Sequence, residues 1–175
     1  KMGEDMGFTP MELSEFQKGE VPDFLGYLYS QAEATGLSQH KDTIEYYKNA
    51  VNDIEFKCVT YSYIPGEEFL YHGKMFDPGQ GTSYTMFLGG DQPYIEIDSQ
   101  SPNDRTLLMI KDSYSNALLP WLTCAYNKII VIDARTFDQS ITKVLNTTPI
   151  DDFLITNYIM GTNFRDYIKM CMDIY

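Results

Sequence analysis

Thr106-Leu107-Leu108-Met109-Ile110-Lys111-Asp112-Ser113-Tyr114-Ser115-Asn116-Ala117-Leu118-Leu119-Pro120-Trp121 is the stretch whose reading decides the fold. The four apolar residues Leu107 to Ile110 are too few for a helix and suit a strand covered on both faces, as in a parallel sheet. The character then changes. Lys111 to Asn116 supplies hydroxyls and a carboxylate, and Pro120 is tolerated in the first turn of a following helix. Strand, polar corner and helix together lift a serine hydroxyl above the carboxyl end of the strand, where open α/β sheets place their ligands.

Working outward, the last third of the chain repeats this pattern. Lys128-Ile129-Ile130-Val131-Ile132-Asp133 reads as a second buried strand, and a helix with Ile141, Val144 and Leu145 on one face follows. Phe153-Leu154-Ile155 reads as a third buried strand, and Thr162 or Asn163 caps a last helix with Phe164, Tyr167, Ile168 and Cys171 inward. Strands alternating with helices predict βαβ units and a parallel sheet. Toward the N-terminus, residues 1–20 read as the end of a helix running into a loop. Residues 41–51 read as a helix, because Ile44, Tyr47 and Val51 share a helical face and Asp42 with Glu45 can cap it. The middle is β-rich: a strand from Ile54 to Tyr63, a hairpin turning at His72-Gly73, and strands at Ser83 to Leu88 and Tyr94 to Ile97. The expected architecture is one α/β domain over residues 1–175, with a mainly parallel sheet and a β-rich hairpin segment in its middle.

Composition narrows the function classes. Hydrophobic content of 43% and aromatic content of 14% describe a folded chain. A formal charge of −12 repels phosphate backbones, which argues against nucleic acid as a partner. No apolar run approaches the ~20 residues that cross a bilayer, and no signal peptide is visible. The three cysteines, Cys58, Cys124 and Cys171, lie far apart among apolar residues, the pattern of core thiols and not of a zinc site or disulfide framework. No metal or organic cofactor is expected.

All three expected parallel strands end in polar residues: Asp112-Ser113, Asp133-Ala134-Arg135 and Asn157. Neighbouring strands would bring these groups to one sheet edge, a stronger signal than any one of them. Ser113 is the candidate nucleophile, with the role of helix N-cap as its structural alternative. Asp112, Tyr114, Asp133, Arg135 and Asn157 are the candidate binding residues. Asp133 and Arg135 also suit a bidentate brace of the loop, and Asn157 suits either an oxyanion donor or a turn. A serine needs a base, and neither His40 nor His72 lies where spacing would place one.

The block Leu107 to Asn116 resembles the serine block of the bacterial DHHW proteins, a family related to the SGNH/GDSL hydrolases and more distantly to alginate O-acetylation proteins. Phe87-Leu88-Gly89-Gly90-Asp91-Gln92-Pro93 and Ile132-Asp133-Ala134-Arg135 resemble neighbouring motifs of that family, in the same order. Lys111 stands where many GDS-type hydrolases have glycine. The resemblance implies an SGNH-like three-layer α/β fold, Ser113 at the nucleophile position, and an esterase or acetyl transferase acting on cell-surface carbohydrate or an acyl ester outside the cytoplasm. In that family the triad's aspartate and histidine come from an Asp-His-His-Trp type motif preceding the serine block, and this chain holds no such motif. The chain is therefore expected to correspond to a C-terminal portion, inactive alone and dependent on an upstream segment for its Asp-His pair. The alternative is a cell-surface binding or scaffold module that keeps the hydrolase-like sheet without catalysis.

Overall fold

The computed structural model describes residues 4, 7–26, 29, 36–61, 68–80, 84–137, 139–158 and 169. The opening stretch forms the strand expected of it. Leu107 to Ile110 lie within β6 (Thr106–Lys111), and Ile129 to Ile132 within β7 (Lys128–Asp133). Alternate residues of the two strands enter different cores, which is why both read as continuous apolar runs. Leu107, Met109, Ile129 and Val131 join a large cluster with Met75, Phe76, Phe87, Leu119 and Tyr126. Leu108, Ile110, Ile130 and Ile132 join Phe137, Ile141 and Val144 on the other face.

The remaining strands are β1 (Gln17–Phe24), β2 (Asp42–Lys48), β3 (Glu55–Tyr61), β4 (Glu68–Lys74), β5 (Tyr94–Asp98) and β8 (Asp152–Ile155). β1 and β2 pair antiparallel as a two-stranded sheet, and the other six form one sheet in the order β4-β3-β5-β7-β6-β8. Only the β7-β6-β8 part is parallel; the β4-β3, β3-β5 and β5-β7 pairs are antiparallel. Two α-helices occur among the described residues, α1 (Leu119–Leu122) and α2 (Ile141–Thr147). Neither is long or apolar enough to cross a membrane.

The expected SGNH-like three-layer α/β fold with a mainly parallel sheet is therefore corrected to a mostly β architecture around a mixed six-stranded sheet. Among the described residues, helices of four and seven residues do not supply the continuous helical layers of that class. The β-rich middle is no separate segment, because β3 and β4 extend the same sheet through β5. The helix expected over residues 41–51 is strand β2. Ile44 and Tyr46 alternate onto one face and pack against the main core, so the period of two wins over the coincidental spacing of Ile44, Tyr47 and Val51. Glu4 is helical and residues 8–12 are loop, as expected, but the loop ends in a 3-10 turn at Leu13–Glu15 and residues 17–20 begin β1.

β4 runs straight through His72 and Gly73, so no hairpin turns there. Gly73 faces Phe56 in register, and a Cβ on it would meet the Phe56 ring at 2.4 Å, so the glycine makes room for a core aromatic. Tyr84–Met86 is a 3-10 turn beside a single bridge from Phe76 to Phe87, not a strand. β8 is a strand as expected but lies at the sheet margin with Phe153 and Ile155 more than half and half exposed, so it is not buried. Of the helix expected beyond Thr162, Lys169 is described and helical, and Thr162, Asn163, Phe164, Tyr167, Ile168 and Cys171 lie outside the described residues. Cys58 is buried and Cys124 half-buried, with burial raising the Cys124 thiol to about 11, an unreactive state.

Candidate active site

The corner after β6 is a 3-10 helix, Ser113–Ala117, and its cap is Asp112, not Ser113. One Asp112 oxygen accepts from the Tyr114 backbone N–H at 3.0 Å and the other from the Tyr158 N–H at 2.8 Å. Asp112 is 4% exposed and each of its oxygens is met by a backbone donor, so the carboxylate fixes the corner to the segment after β8. Ser115 adds a second tie, its Oγ lying 2.7 Å from Thr156 Oγ1. Ser113 itself is half-buried at the carboxyl end of β6.

Beside this corner lies an ion cluster in which Asp133 and Arg135, both expected at the site, are joined by Lys111 and Asp91, which the strand ends did not point to. Lys111 and Asp133 are register partners on β6 and β7, both fully buried, with Nζ 3.7 Å from Oδ2. Asp91, from the loop before β5, accepts from Lys111 Nζ at 3.2 Å and from Asn116 Nδ2 at 3.0 Å on Oδ1. Arg135 closes the ring: its Nε donates to Asp133 Oδ1 at 2.8 Å and its Nη2 bridges Asp133 Oδ2 and Asp91 Oδ2. Two cations thus face two carboxylates, and the cluster is neutral. The bidentate Asp133–Arg135 brace is one of the two readings that the strand end allowed. Asn157 donates through Nδ2 to the Tyr158 carbonyl at 3.3 Å, the geometry of a turn residue. Asn116 Oδ1 is buried without a partner among the described residues.

Burial pushes the Asp91 carboxyl up, but the charges of Lys111 and Arg135 outweigh it and hold the group below its ordinary value. A lowered carboxylate contributes stability that is present above the unfolded-state value and lost as pH falls through the folded one. Between about pH 5 and about pH 2, wild-type protein should therefore lose stability that Asp91→Asn does not have to lose. The gap between their urea midpoints should narrow toward acid; a constant gap would show that Asp91 is not held low. Hydrogen bonding to Asp133 is the main cause that raises Arg135 above its ordinary value, so this cation stays charged throughout.

The loop carrying Asp91 is bent by three consecutive residues with positive φ, Leu88 (63°), Gly89 (69°) and Gly90 (109°). Leu88 is held in this costly conformation because its side chain is buried, at 1% exposure. At Gly90 a Cβ would find ordinary contact at 3.6 Å from Thr85, so space is not the obstacle. Backbone strain is. Gly90→Ala should destabilise by about 1–3 kcal/mol in a denaturant titration, and an unchanged midpoint would contradict the strain argument.

His72 does not reach this site within the chain. His72 pairs through Lys57, Glu96 and Ile130 to Leu108, placing it four strand spacings from β6, about 19 Å away. His40 is exposed before β2, at the end of that strand remote from Tyr47, which packs on Trp121.

With this geometry in place, the family assignment follows from the sequence. The model of the DHHW protein family matches residues 2–132. The chain belongs to the DHHW protein family. No curated protein sequence is significantly similar to it. Among solved structures, a DHHW family protein from Eubacterium siraeum DSM 15702 has a TM-score of 0.78 at 23% identity, over 99% of this chain and 57% of that one. Bacillus cereus PatB1 has a TM-score of 0.64 at 14% identity, over 88% of this chain and 53% of that one. PatB1 with a sulfonyl adduct has a TM-score of 0.61 at 13% identity, over 83% and 46%. The DHHW chain thus spans roughly half the length of these structures, and the likeness concerns the fold.

The signal for Asp91 was present in the sequence as a double glycine followed by an acid. The signal for Lys111 was a cation closing an apolar strand. Their partnership was hidden because 20 residues and two strand crossings separate them.

Proposed function

We propose that Ser113 is a nucleophile that carries an acyl group, making this DHHW protein part of an SGNH-related serine esterase or O-acetyl transferase that acts on cell-surface carbohydrate outside the cytoplasm. The observation that carries the reading is the corner itself. Ser113 is released from capping by Asp112 and stands on a locked turn at the carboxyl end of β6, beside a neutral, prepaired ion cluster. The sulfonyl adduct of PatB1 adds support, because sulfonyl groups are captured by activated nucleophiles and that protein shares the fold.

In the reaction, Ser113 Oγ bonds to the acyl carbon, the bond from that carbon to the leaving alcohol breaks, and the Oγ proton passes through a base to the leaving oxygen. Water or an acceptor hydroxyl then takes the acyl group from Ser113 by the reverse sequence. The base is the Asp-His pair of an Asp-His-His-Trp type segment, a reading supported by the four strand spacings that separate His72 from β6. The test is burst release of p-nitrophenol from p-nitrophenyl acetate by the protein that carries this chain together with such a segment. Ser113→Ala must abolish the burst; a burst that survives removes Ser113 from the mechanism.

The remoteness of His72 from the corner favours a second reading, a cell-surface binding or scaffold module without catalysis. Absence of any burst in the wild-type protein would select it.

A further inference from the structure

Tyr114, the residue after Ser113, is 73% exposed, yet its ring is stacked on Tyr158 with centroids 5.0 Å apart and planes 18° from parallel. Both rings are placed by one buried group. Asp112 takes the backbone N–H of Tyr114 on one oxygen and that of Tyr158 on the other, and the Ser115–Thr156 contact holds the same two segments together. A large aromatic is thus presented to water on a backbone that is fixed in advance.

We propose that the outer face of Tyr114, backed by Tyr158, is a subsite that seats a neutral pyranose ring of the carbohydrate substrate. This assignment rests on the acyl-transfer reading of Ser113 for its substrate class. The negative face of an aromatic quadrupole attracts the polarised C–H groups of a sugar ring, while the ring hydroxyls stay wet at the rim. The platform carries no charge of its own, and the chain's formal charge of −12 disfavours anionic occupants. Tyr114 follows Ser113 directly in the chain, so a ring seated on Tyr114 lies beside the Ser113 corner. Clamping by Asp112 removes ordering cost that a mobile tyrosine would impose on binding.

Saturation-transfer NMR and calorimetry with tetra-N-acetylchitotetraose and cellotetraose test the subsite without requiring chemistry, with p-nitrophenol and tetramethylammonium as the aromatic and cationic competitors. The expected result is saturation of sugar ring C–H protons in the wild type, Kd weakened about fivefold to tenfold by Tyr114→Ala, and Kd restored by Tyr114→Phe. Tyr114 is exposed, so the thermal midpoint of Tyr114→Ala should match wild type and exclude misfolding as the cause. Failure of both glycans to bind, equal Kd in Tyr114→Ala, or binding of only the aromatic or cationic probe would overturn the proposal. The two readings separate cleanly: Tyr114-dependent glycan binding with no burst upholds the subsite and sinks acyl transfer. A Ser113-dependent burst with glycan affinity indifferent to Tyr114 does the reverse.

Discussion

Replacing Lys111 by alanine is expected to lower the unfolding free energy by about 3–5 kcal/mol, among the largest losses a single substitution in this chain can produce. Lys111 and Asp133 are both fully buried, so neither can recover solvation when its partner is lost. Removing the ammonium leaves Asp91 and Asp133 with Arg135 as their remaining cation, and one negative charge stays uncompensated beside a low-dielectric core. For a chain of this length the loss corresponds to a fall in Tm of about 6 to 20 °C. Lys111→Met, which keeps the apolar stem and discards the charge, should retain most of the penalty. By contrast, breaking the exposed Lys18–Glu45 pair should leave the midpoint in place, because water and salt screen it. A calorimetric loss under about 1 kcal/mol for Lys111→Ala would mean that the buried ion cluster is not a structural element of the fold.

Ser113→Ala is expected to remove the acylation burst entirely and to lower steady-state ester turnover by about three orders of magnitude or more. The size follows from the covalent route, since without Oγ no acyl-enzyme can form and only binding and any oxyanion donors remain. Ser113 is half-buried and does not cap the helix, so alanine there should leave thermal stability near wild type. That pairing of a large kinetic loss with a small stability change is the signature of a reacting group. Retained turnover, or a loss that follows unfolding, would transfer the role elsewhere.

Local physics carried the sequence reading furthest where one strand met two cores. Leu107 to Ile110 and Ile129 to Ile132 are apolar on both faces, so burial alone predicted them. The Asp133–Arg135 brace was legible as one of two options because its partners sit two residues apart at a strand end. Other features depended on pairing that no local pattern records. The alternating strands and helices of the last third suggested a parallel sheet, but β5 enters it antiparallel to β7 and brings β3 and β4 with it. β2 imitated a helix because Ile44, Tyr47 and Val51 fall at helical spacing, while its true inward pair was Ile44 and Tyr46. Asp91 reaches Asn116 through the turn at Leu88 to Gly90, whose direction depends on φ values that a sequence does not display.

The marginal position of β8 gives the tyrosine stack a lifetime of its own. Among the described residues, this four-residue strand is paired to β6 alone, and Thr156 and Tyr158, which tie the corner to it, follow directly behind. Peeling of β8 would separate Tyr158 from Tyr114 while β6 stays fastened to β7. Such excursions cost less than global unfolding, so the assembled platform is governed by a local opening equilibrium. A sugar ring that binds only the assembled form would pull this equilibrium closed and staple the loose margin of the sheet.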